Sequence, residues 1–356
     1  MLRDKSRIDF LDFMRVFAFL SVLIGHLFNK HLAEIAMDTS LHLTVRQVAQ
    51  LIYDICFAGA AGVVVFFMTS GYIITHVLQH ERTGEFVIRR IFRIYPLYVV
   101  AILSEVVVTH TVMSVPLPSL LELTSRLLLV GDFFNTPNAL GGVEWTLRIE
   151  ILFYGFMAVL KAVGLIERPK LLPLVLAVMT LILFFGGAFP HAGAWTDGYL
   201  NIFGPFLFVG VMVYLVEKNL ANRYLCFSLI FLIAVVSIEQ TVLLKPALKE
   251  SNYIVMATLL FLSGWALRER IVSNAIIKTL SEMTYAIYLF HLWSWGYLEI
   301  LVVKIGFTAI PYKLQQIVLL FVLCYVATKT IERYGVAAGR TFIQRIRDSK
   351  AFLRPA

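Results

Sequence analysis

The chain is short of charge and of cysteine. Of its 356 residues only 15% are Asp, Glu, Lys or Arg, against 59% that are hydrophobic, and the mean hydropathy is +0.81. A soluble domain of this length needs more polar surface than that, so the composition implies a polytopic membrane protein. The 3 cysteines, Cys56, Cys226 and Cys324, lie in separate apolar stretches without CxxC spacing. This excludes a disulfide framework and a zinc site, and no metal is expected. No Pro/Ser/Gly-rich linker and no repeat divides the chain. One integral membrane domain is therefore expected over residues 1–333, with a short basic tail at 334–356 and no appended soluble module. The N-terminal MLRDKSR leads into an apolar segment that lacks a small-residue cleavage site and carries Arg15 and His26. A signal-peptide core does not look like this, so the segment is expected to be a mature helix.

What the sequence has in plenty is apolar runs. Stretches of about 17 to 25 such residues give ten candidate spans: 9–28, 56–78, 91–112, 143–164, 171–189, 198–216, 224–243, 252–267, 280–303 and 313–333. Between the third and fourth, residues 119–134 are too polar to span and suit the interface or a re-entrant turn. The net charge of +8 would suggest nucleic acid in a soluble protein. Here the basic residues follow the positive-inside rule, and no nucleic-acid partner is expected. With the N-terminus inside, 22 of the 31 Lys and Arg fall on the cytoplasmic side and 7 on the other, with Arg15 and Arg148 counted within spans. That asymmetry predicts an all-α bundle of about ten transmembrane helices with both termini cytoplasmic.

Ionisable groups inside a bilayer are costly and mark function. Arg15 and His26 are eleven residues apart in the first span, about three helical turns plus 20°, so an α-helix puts them on one face about 16 Å apart. They read as the two ends of one reaction path, with Asp12 a turn from Arg15 as its ion-pair partner. Arg89, Arg90 and Arg93 enter the third span from the cytoplasmic side. Clustered guanidinium groups suit bidentate phosphate binding, while positive-inside anchoring to membrane lipids is the alternative for Arg89 and Arg90. On the outer side, His26 pairs with Glu150, about two turns below Trp145 at the entrance of the fourth span. An imidazole and a carboxylate are the parts of a general base and its orienting partner, although each could satisfy a structural hydrogen bond instead. Ser70, beside Gly71 in FFMTSGY, suits cavity lining or close helix packing. Tyr285, Tyr288 and His291 recur every three residues in the ninth span and could line a polar cavity or pack.

At these residues the sequence resembles membrane-bound acyltransferase family 3, which includes O-acetyltransferases of bacterial polysaccharides and lipo-oligosaccharides. The matching pieces are Arg15-x10-His26 after Asp-Phe-Leu-Asp, FFMTSGYIIT at 66–75, RRIFRIYPLY at 89–98, WTLRIEILFY at 145–154 and YAIYLFH at 285–291. They occur in family order over about residues 8–333. The resemblance implies an acyltransferase of the bacterial cytoplasmic (inner) membrane that takes acyl-CoA, acetyl-CoA above all, from the cytoplasm and O-acetylates a glycan acceptor. It implies Arg15 and His26 as the essential pair, Arg90 and Arg93 as the RxxR element, and Glu150 as the carboxylate after the Trp-Ser/Thr-Leu motif. Thr146 stands where many relatives have Ser, and Ile151 where many have Glu or Gln. The competing class is a transporter or flippase for a glycan or lipid-linked sugar, since buried charge also marks translocation paths.

Overall fold

In the computed structural model, residues 8–134, 136, 138–191, 196–248 and 252–348 are described. Among them there is no strand. The helices are α1 (Asp9–Leu23), α2 (Asn29–Met37), α3 (Leu43–Cys56), α4 (Ala60–Leu78), α5 (Thr83–Met113), α6 (Leu120–Leu127), α7 (Gly131–Phe134) and α8 (Glu144–Ala162). They continue as α9 (Leu172–Phe185), α10 (Tyr199–Phe203), α11 (Pro205–Glu217), α12 (Arg223–Leu244), α13 (Tyr253–Ala266), α14 (Ala275–Phe290), α15 (Trp293–Ile305), α16 (Tyr312–Ala327) and α17 (Arg333–Asp348). Two π-turns interrupt the regular backbone, Ile24–Phe28 between α1 and α2 and Thr328–Glu332 between α16 and α17.

Six stretches are long and apolar enough to cross a membrane: Asp9–Met37, Leu43–Leu78, Thr83–Met113, Tyr199–Glu217, Arg223–Leu244 and Tyr312–Asp348. The pair α14 and α15, bent by 90°, passes the same test only when taken together, as a broken span or a re-entrant loop. Helices α9 and α13, with 14 residues each, reach about 21 Å, short of a hydrocarbon core of about 30 Å. Helix α8 has the length but carries Glu144, Arg148, Glu150 and Lys161. The chain is an all-helical membrane protein. Each apolar run of the sequence falls on helix, but the boundaries differ. The first continues to Met37, and the second starts at Leu43 and is broken at Phe57–Gly59. The third begins at Thr83, because Arg89, Arg90 and Arg93 carry their charge at the tips of long stems and do not stop the backbone from coiling. The ninth run does not make one straight helix.

Two compact units share the chain. Of the described residues, the first comprises 8–76, 165–191 and those from 196 to 284; the second comprises those from 77 to 164 and 285–348. In the first, α11 is apolar all round and buried from Pro205 to Leu215, as expected of a central helix. Gly71 of α4 packs on the Leu207 backbone, and Gly210 of α11 packs on Met68 and Tyr72. A side chain at either glycine would meet backbone, so small residues let these helices touch. The glycine of FFMTSGY is thus a packing residue, and Ser70 beside it is buried. Phe10 of α1 lies edge-on to Tyr72 at 5.5 Å and to Phe261 at 6.1 Å, joining α1, α4 and α13.

In the second unit α5 is the spine, 31 residues long, or about 46 Å. Pro96 within it has no N–H, which frees the carbonyl of Phe92 four residues back. Helix α17 lies along this weakened turn. A Cβ at Gly335 would come within 2.8 Å of Pro96 Cγ and 2.9 Å of the Phe92 oxygen, and one at Gly339 within 2.7 Å of Phe92 Cβ. Arg347 then forks onto the buried Glu85 at 2.8, 2.6 and 2.5 Å. Residues 333–348 are therefore a helix fixed along α5. Residues 349–356, the rest of the expected basic tail, lie outside the described residues.

Candidate functional site

In the first unit the site is built around an irregularity. His26 is the middle residue of the π-turn Ile24–Phe28. The turn rests against the break in the second apolar stretch, where Ala58 has φ +51° and Gly59 φ +69°. Gly25 makes this approach possible, since a Cβ there would run into the Cys56 carbonyl and the Gly59 nitrogen. A non-glycine residue with left-handed φ costs about 1 kcal/mol or more and persists only where its surroundings fix it. At Ala58 the result is a carbonyl turned toward the imidazole, with His26 Nε2 3.2 Å from Ala58 O. A carbonyl only accepts, so Nε2 carries the proton. In the neutral ring Nδ1 is then the basic nitrogen.

The exposed imidazole is thus held in one tautomer in the turn between α1 and α2. Arg15 is half-buried three turns earlier on α1. Its shared face with His26 holds for an ideal α-helix, and the π-turn, with more residues per turn, rotates His26 away from that ideal. Asp12, expected beside Arg15, is buried and accepts a hydrogen bond from the Ser281 hydroxyl at 2.6 Å.

The second unit holds the arginines. Phe86 of α5 stacks edge-on against Tyr154 of α8 at 6.0 Å, Arg90 lies within electrostatic range of Tyr154 and Glu150, and Tyr98 lies within range of Glu144. Advancing along α5 is retreating along α8, so the two helices are antiparallel. This register corrects the expected separation of Glu150 from the arginines. Glu150 lies opposite Arg90, about 18 Å along α8 from its Ala162 end. Tyr154 donates to the Glu150 carboxylate, and the Arg90 guanidinium sits 5.6 Å over the Phe86 ring. Arg93 reaches Glu332, on the second π-turn, at 3.8 Å, and the Tyr285 hydroxyl donates to the Ile94 carbonyl at 2.9 Å.

Arg89 and Arg90 share a neighbour, Glu81. Arg89 pairs with Glu81 at 3.3 Å in the turn before α5. Burial raises the Glu81 carboxyl above the usual carboxylate range, and Arg89 and Arg90 partly offset this.

Toward the other end of α8, Thr146 donates to the Tyr288 hydroxyl at 2.6 Å, which donates to the Val143 carbonyl at 2.8 Å. Trp145 is half-buried beside them. His291 is fully buried at the 90° bend after α14, with Nδ1 2.9 Å from the Tyr288 carbonyl and 3.2 Å from that of Ile287. The Ile287 carbonyl also accepts the His291 backbone N–H at 3.0 Å, so backbone and ring of His291 together close the last turn before the bend.

Sequence reasoning missed Tyr154, Glu332 and the ion pairs of Arg148 with Asp132 and Glu144. The spacing of Glu144, Arg148 and of Glu150, Tyr154 at i, i+4 was the available signal. Nothing in sequence pointed from Arg93 to Glu332. Among the described residues no group of His, Cys, Asp or Glu is placed to hold a metal ion.

An acyltransferase domain model, that of acyltransferase family 3, matches residues 8–330, which takes in both units' candidate residues. No curated protein and no solved structure was found to match the chain. With the family model covering nearly the whole sequence and its helices apolar enough to cross a bilayer, the chain belongs to acyltransferase family 3 and is a membrane acyltransferase.

Proposed function

We propose that the protein transfers a short acyl group, acetyl in the simplest case, from cytoplasmic acyl-CoA to a hydroxyl of an extracytoplasmic or lipid-linked glycan in the bacterial inner membrane. The observation that carries this reading is His26, held by the Ala58 carbonyl with Nδ1 as its basic nitrogen. Nδ1 removes the proton from the acceptor hydroxyl as that oxygen attacks the thioester carbonyl. The tetrahedral intermediate then expels the CoA thiolate, and the imidazolium returns the proton to sulfur. No covalent acyl-enzyme is needed, although an acyl-imidazole would use the same nitrogen.

Arg90 and Arg93 bind the donor's phosphates, with Arg15 as a further cation. Glu150 and Tyr154 act on Arg90 as positioning residues. Arg89, engaged with Glu81, orders the turn before α5 and is a weaker phosphate ligand. The ten apolar runs and the 22-to-7 distribution of Lys and Arg support ten membrane passages with both termini cytoplasmic, α9, α13 and α8 being the shorter or more charged ones.

Purified protein in proteoliposomes given acetyl-CoA labelled in the acetyl group is expected to put label covalently into glycan. A glycan that crosses the bilayer unlabelled would overturn the transferase reading in favour of a transporter. A cysteine placed at Arg82 is expected to react only with a reagent on the cytoplasmic side, and reaction from outside would overturn the orientation.

A further inference from the structure

The end of α5 remote from Arg90 borders a cavity of about 350 Å³ that none of the roles above uses. It lies within the second unit, lined by the last turns of α5, residues 115–118, Glu122 and Arg126 of α6, and Asn138. From Arg90 to Thr109 the helix rises about 28 Å, close to the thickness of a hydrocarbon core. The cavity is therefore at the opposite membrane face from the arginines.

Its polar wall comprises Glu105, Thr109, His110, Glu122, Arg126 and Asn138. Several of these groups are already fixed by a neighbour. One oxygen of Glu105 accepts from the Leu140 N–H at 2.8 Å, and Arg126 is anchored on Glu122 at 2.6 Å. The Thr109 hydroxyl accepts from Tyr297 at 2.8 Å and keeps its own proton to donate. His110 Nδ1 is 2.8 Å from the Val115 carbonyl, so it carries the proton and Nε2 is the acceptor of the neutral ring. Residues 115–118, joined to His110 by that bond, add an apolar stretch to the lining and contain two prolines, which stiffen it.

A lining that combines prefixed donors and acceptors with a stiff apolar stretch matches a sugar ring, with its rim of hydroxyls and its C–H face. The size, at the lower end of ligand pockets, suits one or two rings. Two carboxylates against one guanidinium make the wall unfavourable to a carboxylate-bearing sugar. We infer that this cavity seats the acceptor, as one neutral or amino-bearing sugar unit of the glycan. The word acceptor rests on the acyltransferase reading above; the sugar seat stands on the cavity itself.

Saturation-transfer NMR on the full-length protein in lipid nanodiscs, without donor, tests this with three probes: methyl N-acetylglucosaminide, methyl glucosaminide and methyl glucuronide. The first two are expected to bind, and the glucuronide about tenfold more weakly. Leu117→Cys, at an exposed wall position, allows the cavity to be blocked with N-ethylmaleimide, since Cys56, Cys226 and Cys324 are buried. Blocking is expected to abolish binding of both sugars, while wild type given the same reagent keeps it. Glu122→Gln is expected to narrow the gap between the glucuronide and the others. Equal binding of all three probes, or binding untouched by the block, would overturn the assignment. A blocked protein that still acylates glycan at the full rate would overturn it too and leave the transferase reading intact. Sugar binding lost on blocking, in a protein that acylates no glycan, would keep the seat and overturn the transferase reading.

Discussion

The neighbourhoods of His26 and Arg90 place functional side chains by opposite means. Around His26 the backbone does the work, through a π-turn, a broken helix with left-handed Ala58 and Gly59, and a glycine that lets the two meet. Around Arg90 the side chains do the work, through Tyr154, Glu81, Glu150 and the face of Phe86. A neutral imidazole that must keep one nitrogen basic needs a single, well-aimed acceptor, and a backbone carbonyl supplies it without adding charge. A cation held in a membrane needs countercharge and polarizable surface. The first neighbourhood should be sensitive to shape and the second to charge.

His26→Ala tests this most severely. It should lower acyl transfer by about 10²- to 10⁴-fold, the usual contribution of a positioned base, with the protein still folded and in the membrane, as measured by label transfer and by gel filtration in detergent. Full activity in this variant would break the assignment. Arg90→Ala should act on the donor, raising the KM for acetyl-CoA by about ten- to a hundredfold as charge-assisted hydrogen bonds are lost, with the acceptor KM unchanged. An effect on the acceptor alone would place Arg90 elsewhere in the reaction.

Gly25→Val sharpens the contrast from the other side. It removes no functional group but forces a side chain into the Cys56 and Gly59 backbone, and should cost about 1–3 kcal/mol as overpacking does, seen as a lower thermal midpoint together with lost activity. Gly84→Val, where a Cβ meets nothing within 4 Å, should leave the midpoint in place. Tyr154→Phe should be the mildest, raising the donor KM by about threefold, because Glu150 and Arg90 are still present. A change in Tyr154→Phe as large as in Arg90→Ala would mean that the phenol itself touches substrate.

Much of the fold could be read from hydropathy, because a membrane demands apolar runs of a set length and helices that satisfy their own backbone. Arg15, His26, Arg90, Arg93 and Glu150 stood out for the same reason, as charge where charge is costly. The π-turn at His26 could not be read this way. It depends on Gly25 lying against Cys56 and Gly59, residues more than thirty positions away, and no local propensity encodes that contact. The place of Glu150 was also hidden. Its depth relative to Arg90 follows from where α5 and α8 begin and from their antiparallel register, and the start of α5 at Thr83 is masked by its polar first turns.

By itself the sequence determined that this chain lives in a membrane, is helical, and carries a few ionisable groups too expensive to be accidental. Transfer energies fix those statements residue by residue, and they add along the chain. Tertiary structure decided which nitrogen of His26 is basic, which carboxylates answer Arg90, that Gly71 packs and Gly335 fits beside Pro96, and that the far end of α5 borders a cavity. Each of these depends on two segments distant in sequence meeting at one register, and hydrogen-bond geometry changes over fractions of an ångström. Composition has no means of specifying that.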